Sequence, residues 1–173
     1  MKHKLIIILL VLCANVNTTR SQQSTVCFPI TDTKIYSSRW SYIPFKILDD
    51  KYLDRHIIVF HILEKRHLRF QVNADIYDTW TDTFFSYDSV WVDFPEITIY
   101  GREDKELNYV LYKDRNRRSQ KYIFSVFEAK GEFPVLDYKD GWYKVILITH
   151  NNDKYILWLP PESQCNDYYG SCN

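Results

Sequence analysis

One block of sequence occurs twice in this chain at a fixed separation, and this repeat limits the possible folds more than any other feature. Residues 60–64 (FHILE) align with residues 133–137 (FPVLD) at an offset of 73, and the same offset places Phe70 on Tyr143. Further pairs keep their order along both copies: Ile35-Tyr36 with Leu111-Tyr112, Val72 with Val145, and Trp91 with Trp158. The conserved order of the blocks indicates duplication of one unit.

Alternation of side chains within the repeat predicts strands. Phe70, Val72 and Ala74 share one side of a strand, and their partners in the second copy are also apolar. Aromatic residues make up 17% of the chain, which suits strands, and no helix-favouring run of Ala, Leu, Glu and Lys is found. Asp140-Gly141 between two apolar runs predicts a hairpin.

We therefore expect an all-β fold of two small barrels in tandem. The copies cover residues 28–100 and 101–173, and the short charged stretch at residues 101–106 is typical of a join between domains. Units of this size bury only about 60% of their unfolded surface and are marginal alone. Packing of one copy against the other would stabilise both.

The N-terminal residues predict a cleaved signal peptide. Lys2 and Lys4 precede an apolar run at residues 5–14, which is too short to span a bilayer as a helix. A polar stretch follows, in which small residues Thr19 and Ser21 occupy the positions that a cut after Ser21 requires. We expect residues 1–21 to be removed and the protein to be exported, to the periplasm or out of the cell.

The charge balance of the mature chain argues against one class of partner. Removal of Lys2, Lys4 and Arg20 leaves 19 basic against 22 acidic residues, a net charge of −3. Proteins that bind nucleic acids usually carry a strong basic excess, so we expect no nucleic-acid partner. No second long apolar run follows residue 21, so we expect no transmembrane segment in the mature chain.

Three cysteines remain after residue 21. Cys165 and Cys172 enclose six residues rich in turn formers, and exported proteins can keep disulfides, so we expect these two to pair. Spacing does not fix connectivity, and Cys27 could pair with either of them instead. Cys27 lacks the Gly-rich or helix-start context that lowers the pKa of a thiol, so we expect a buried or disulfide-bonded cysteine rather than a nucleophile.

The histidines do not predict a metal site or a catalytic site. His56 and His61 are five residues apart, so they point to opposite sides of a strand. No Cys/His pair has the spacing of a zinc site. The sequence therefore predicts no enzyme activity, no metal and no cofactor.

The second copy resembles bacterial Src-homology-3-like (SH3-like) domains. Residues 134–145 (PVLDYKDGWYKV), followed by an aromatic-led strand at Trp158, match the family pattern of a short apolar strand, a charged turn, a Gly-Trp pair and a closing hairpin. Leu111-Tyr112 resembles the opening strand of the family. The first copy is a degraded version, in which Arg69 stands in place of Trp142.

This resemblance covers residues 108–162 closely and residues 33–96 weakly. It implies that each copy is a small, strongly bent five-stranded barrel and that the protein is a non-catalytic binding module. The implied partner is a cell-wall peptide or glycan, or an envelope protein. The implied ligand groove is lined by aromatic residues and edged by arginines: Tyr112, Trp142, Tyr143 and Trp158, with Arg115, Arg117 and Arg118 at the rim.

Two surfaces keep alternative interpretations. The arginine cluster could contact an anionic polymer or simply be a solvated loop. The strand side that carries Trp142, Ile146 and Ile148 is too apolar for a solvated side, so we expect the other copy to cover it. If that side binds a partner instead, the chain would be a structural or assembly protein that docks on a larger envelope complex.

Overall fold

The computed structural model describes residues 26–165, so the expected signal peptide and Cys172 lie outside the described residues. Almost all regular structure in this range is strand, and the expected all-β fold is confirmed. Helix α1 (Asp50–Leu53) has one turn, capped by Asp49, whose side chain accepts from the Tyr52 amide. A single 3-10 turn covers Pro161–Ser163. Neither of these described helical segments is long enough to cross a membrane.

The strands alternate between buried and accessible residues, as a sheet with one side on a core requires. Six strands precede the middle of the described range: β1 (Val26–Pro29), β2 (Thr33–Tyr36), β3 (Lys46–Leu48), β4 (His56–Arg66), β5 (Arg69–Asp78) and β6 (Thr83–Asp93). Seven more follow: β7 (Ile97–Gly101), β8 (Asn108–Tyr112), β9 (Lys121–Ser125), β10 (Glu132–Lys139), β11 (Trp142–Ile148), β12 (Lys154–Leu159) and β13 (Gln164–Cys165).

The strand order repeats. The first series runs β3-β2-β6-β5-β4-β1-β7, and the second runs β9-β8-β12-β11-β10-β7-β13 with every strand in the corresponding place. Strand β7 belongs to both series, because β1 and β13 pair with one of its edges, at residues 97–98 and 100–101, and β10 pairs with the other edge at residues 98–100. Below, β1–β6 are called the N-terminal half and β8–β13 the C-terminal half.

The two central hairpins agree in register as well as in order. Ile62 pairs with Val72 and Val135 pairs with Val145, and in each hairpin the register then shifts by one residue at a bulge. Beyond the bulge both hairpins close over two residues. The first turn residue has a left-handed backbone in both, with φ of 55° at His67 and 50° at Asp140. Residues that align at an offset of 73 therefore occupy equivalent positions.

The later blocks also correspond. Trp91 lies opposite Gln71 and Tyr36, and Trp158 lies opposite Lys144 and Tyr112. The stretch between the pairing partners differs: β5 and β6 form a longer hairpin than β11 and β12, with a second register shift after Val72. The extra length of the first copy is thus extended strand.

A continuous apolar core runs through both halves. Phe60 and Phe133 are fully buried at equivalent positions, and both belong to the same cluster. Polar contacts join the two central hairpins near their bulges, since Lys65 Nζ donates to the Leu136 carbonyl at 3.0 Å and lies 3.3 Å from Asp137 Oδ1. The halves are packed together rather than merely linked.

Candidate binding groove

The outer side of the C-terminal sheet carries a row of aromatic side chains. Tyr112 on β8 lies opposite Trp158 on β12, and Trp158 lies opposite Lys144 on β11. The rings of Tyr112 and Trp142 meet edge to face with centroids 5.6 Å apart, and Lys144 Nζ lies 5.9 Å from the centre of the Trp158 ring. All four side chains are half-buried, so they leave apolar surface open to a ligand.

The turn before β11 holds Trp142 at one end of this row. Gly141 has φ of 80°, and a side chain at this position would meet Pro161 Cγ at 3.2 Å. The Gly141 carbonyl accepts from Gln164 Nε2 at 2.6 Å. Close packing of the turn on the segment after β12 therefore fixes where the Trp142 side chain leaves the backbone.

Residues 113–120, here called the basic loop, connect β8 to β9 and form the rim of the row. Arg115 donates to Asp140 in the turn before Trp142, and Arg117 Nη2 donates to Glu162 Oε2 at 2.8 Å. Arg118 is exposed, and no ion pair involves it within residues 26–165. The loop is thus held against the groove by two arginines, while a third guanidinium is open to an anion.

The N-terminal half has a loop in the same place. Ile35 opposes Lys46 and Leu111 opposes Tyr122, so the β2–β3 and β8–β9 hairpins pair identically at an offset of 76. Residues 37–45 are therefore the counterpart of residues 113–121. The same number of residues separates Ile35 from Lys46 and Leu111 from Tyr122, which allows the two sites to be compared position by position.

Arg69 fills the N-terminal counterpart of the groove. It stands where β11 has Trp142, and its guanidinium carbon lies 3.6 Å above the centre of the Tyr36 ring. Arg69 Nε donates to Asp93 Oδ1 at 2.6 Å, and Tyr36 donates to the other oxygen of the same carboxylate at 2.8 Å. Tyr36 and Trp91 are both buried. The aromatic row exists in both halves but is accessible only in the C-terminal one.

Of the seven residues expected in the groove, the structure brings five together, leaves Arg118 exposed on the basic loop and removes one. Tyr143 is fully buried and points into the core, on the opposite side of β11 from Trp142. The prediction that Tyr143 lines the groove is therefore wrong, because neighbouring residues on a strand face opposite ways. Lys144, which the sequence interpretation omitted, takes its place beside Trp158.

The apolar side of β11 is not covered by the N-terminal half. Ile148 is 37% exposed, and Ile156 on the adjacent strand is 57% exposed. Trp142 packs on Tyr112 of its own half. The expectation that the other half covers this side of β11 was wrong. Tyr112 of the same half partly covers Trp142, and the isoleucines remain at the surface.

Cys27 is a buried free thiol at the junction of the halves. Burial raises its pKa from 9.0 to about 12, and a hydrogen bond with the Tyr143 side chain opposes part of this rise. Cys27 is buried, as the sequence predicted, and the raised pKa keeps its thiol protonated at neutral pH. Cys165 is buried in β13, and its expected pairing with Cys172 stays a prediction because Cys172 lies outside the described residues.

The raised pKa of Cys27 predicts alkaline sensitivity. Above pH 9.0 the unfolded chain loses the thiol proton while the folded protein keeps it to about pH 12, so stability falls as pH rises. We expect this to cost up to about 1.4 kcal/mol per pH unit in that window. Urea unfolding at a series of pH values should show that the free energies of unfolding of the natural protein and of Cys27→Ala converge above pH 9.0. A constant difference between the two proteins would contradict the raised pKa of Cys27.

A cleft of about 490 Å³ in the N-terminal half contains a His–Asp pair but serves to anchor a hairpin. His56 Nε2 lies 3.7 Å from Asp78 Oδ2, and His56 Nδ1 donates to the Tyr52 carbonyl at 2.8 Å. Asp78 also accepts from Arg55 and from the backbone amides of Trp80 and Thr81. The Arg55 guanidinium, above all, holds the pKa of Asp78 well below its usual range. The Asp78 carboxylate is therefore occupied by the hydrogen bonds that hold the turn.

Comparison with family models, curated proteins and solved structures finds no match to this chain. Within residues 26–165, no group of three or more His, Cys, Asp and Glu side chains is placed to hold a metal ion. The candidate groove is defined by its own geometry. Its components are an accessible aromatic row, one lysine within that row and a rim of arginines.

Proposed function

We propose that this chain is an exported, non-catalytic binding module whose C-terminal half holds an acidic peptide of the cell wall. The observation that carries the proposal is the difference between two equivalent places in one molecule. In the N-terminal half, Arg69 and Asp93 close the aromatic row; in the C-terminal half, Trp142 leaves it open. The stability of the fold does not require an accessible aromatic row beside unpaired positive charges. We therefore interpret this row as a ligand site.

The chemistry of the groove suits an extended peptide with carboxylate groups. Tyr112, Trp142 and Trp158 offer flat apolar surface for aliphatic side chains. Lys144 and Arg118 can each pair with a carboxylate, and a guanidinium can do so with two parallel hydrogen bonds. The stem peptides of bacterial cell walls combine small aliphatic side chains with several carboxylates, which matches both parts of the groove.

We also propose that the two halves are related SH3-like units. The matched strand order, the matched bulges and the matched turns support a common origin for the halves. On this view the first unit has lost its ligand site and now supports the second through the shared strand and core. Export to the cell envelope, which the N-terminal sequence predicts, would bring the groove to wall peptides.

Removal of Trp142 tests the groove directly. We expect the full-length protein with Trp142→Ala to bind soluble wall peptides roughly 10- to 30-fold more weakly by calorimetry, because truncation of an aromatic contact costs about 1.4–2 kcal/mol. Trp80→Ala is the matched control, since Trp80 is an exposed tryptophan of the N-terminal half. Equal affinities of the two variants would refute the groove.

The arginine rim has a separate signature in the same assay. Arg117→Ala/Arg118→Ala should weaken binding and reduce its dependence on salt, because exposed charges are screened by ions. Trp142→Ala should leave the salt dependence unchanged. Trp142→Phe should restore much of the affinity, which distinguishes loss of a contact surface from general damage to the fold.

A second candidate function follows from the uncovered isoleucines of β11 and β12. Ile146 and Ile156 pair across these strands beyond the aromatic row, and they would suit docking on a larger envelope complex. Retention of the protein on isolated envelopes distinguishes the two candidates. Loss of retention with Ile156→Asp but not with Trp142→Ala would favour assembly over peptide binding.

A further inference from the structure

The loop at residues 37–45, here called the apolar loop, places large hydrophobic side chains in solvent. Tyr42 is 97% exposed, Ile43 is 80% exposed and Trp40 is 65% exposed. Side chains this accessible have few neighbours, so the loop must project from the body of the protein. Soluble proteins rarely expose a contiguous group of this kind without a partner.

The apolar loop is held in place rather than collapsed. Arg69 Nη1 donates to the backbone carbonyls of Ser38, Arg39 and Ser41 at 2.8–3.3 Å. Ser41 Oγ donates to the Ile43 carbonyl at 2.9 Å. The same arginine that closes the N-terminal row thus supports a projecting loop, and the hydrophobic tip is presented in a defined shape.

Two cations of the loop and its edge, Arg39 and Lys46, form no ion pair within residues 26–165. They lie in a stretch, residues 33–48, that contains no Asp or Glu, while Lys34 of the same stretch is paired with Glu96 at 3.0 Å. The Arg39 guanidinium carbon lies 4.5 Å from the centre of the Trp40 ring, so a cation lies beside the aromatic surface. This arrangement, a hydrophobic tip with cations at its base, differs from that of the basic loop, its structural counterpart.

We propose that the apolar loop inserts into the interface of a lipid bilayer with anionic headgroups. Tryptophan and tyrosine favour the headgroup region, where one end of the ring is apolar and the other is hydrated. Ile43 at the tip would reach the acyl boundary while Arg39 and Lys46 pair with the headgroups. A small projecting tip fits a soft lipid surface better than a protein partner, because stable protein interfaces bury about 800 Å² on each side.

The loop proposal is tested with vesicles of phosphatidylcholine that contain a minority of phosphatidylglycerol. We expect the full-length protein to co-sediment with them, and Tyr42→Asp/Ile43→Asp to lower the fraction bound at least about tenfold. Phe127→Asp is the matched control, because Phe127 is equally exposed but lies outside the loop. The apolar N-terminal run is present in every variant, so differences between variants report on the loop.

A second measurement locates the contact. Brominated lipids should quench the fluorescence of the natural protein more than that of Trp40→Phe, since Trp40 would lie within the headgroup region. Unchanged vesicle binding of Tyr42→Asp/Ile43→Asp relative to Phe127→Asp would overturn the proposal. So would binding to an isolated envelope protein that depends on the loop while vesicles are ignored.

Discussion

Phe133→Ala is expected to lower the free energy of unfolding by about 3–5 kcal/mol, as for other buried phenylalanines. Phe133 is fully buried on β10, opposite Ile99 of the shared strand β7, and its ring meets Tyr109 edge to face at 5.4 Å between centroids. The space left behind cannot close easily, because it lies in the continuous core between β7, β8 and β10. Urea unfolding measures the loss directly.

The same variant tests whether the halves unfold together. Because the core is continuous and β7 is shared, amide exchange should accelerate in β5 as well as in β11. Phe127→Ala, an exposed phenylalanine of the C-terminal half, should change stability by less than about 0.5 kcal/mol. Faster exchange confined to β8–β13 would show that the halves are independent.

Arg69→Met should cost about 2–4 kcal/mol, near the lower end of the range for a broken buried ion pair, because the Arg69–Asp93 pair is part-buried. The change leaves the Asp93 carboxylate without its guanidinium and removes three hydrogen bonds to the loop carbonyls. Methionine keeps most of the side-chain volume, so the effect reports on charge and hydrogen bonds. Chemical unfolding and limited proteolysis within residues 37–45 provide the two readouts.

Two comparisons make the Arg69 result specific. Arg66→Met removes an exposed arginine whose ion pair with Glu64 lies at the surface, and it should cost less than about 1 kcal/mol. A double-mutant cycle with Asp93→Asn should show a coupling of at least about 1 kcal/mol between Arg69 and Asp93. Additive losses would mean that the arginine acts through the loop alone.

The repeat was readable from sequence because strand patterning depends on local order. Phe70 and Tyr143 keep both their spacing and their side of the strand, so simple alignment found equivalent positions. The same rule should have excluded Tyr143 from the groove: Trp142 and Tyr143 are neighbours on one strand and must face opposite ways.

Other features depend on residues far apart in the chain. The sequence showed that Arg69 replaces a tryptophan, but its partners Tyr36 and Asp93 come from other strands. The exposed positions of Trp40 and Ile43 also gave no signal, since apolar residues without a period could equally belong to a core. Only their exposure in the folded protein shows that they project.

Strand β7 completes one series of seven strands and takes its place within the next, which is why two copies give thirteen strands. The chain cannot be divided into two complete series of strands, because both series need the five residues of β7. Growth of such an array would instead add six strands per copy, with β13 positioned as β7 is now. Sharing of β7 thus fuses the two halves into one unit within residues 26–165.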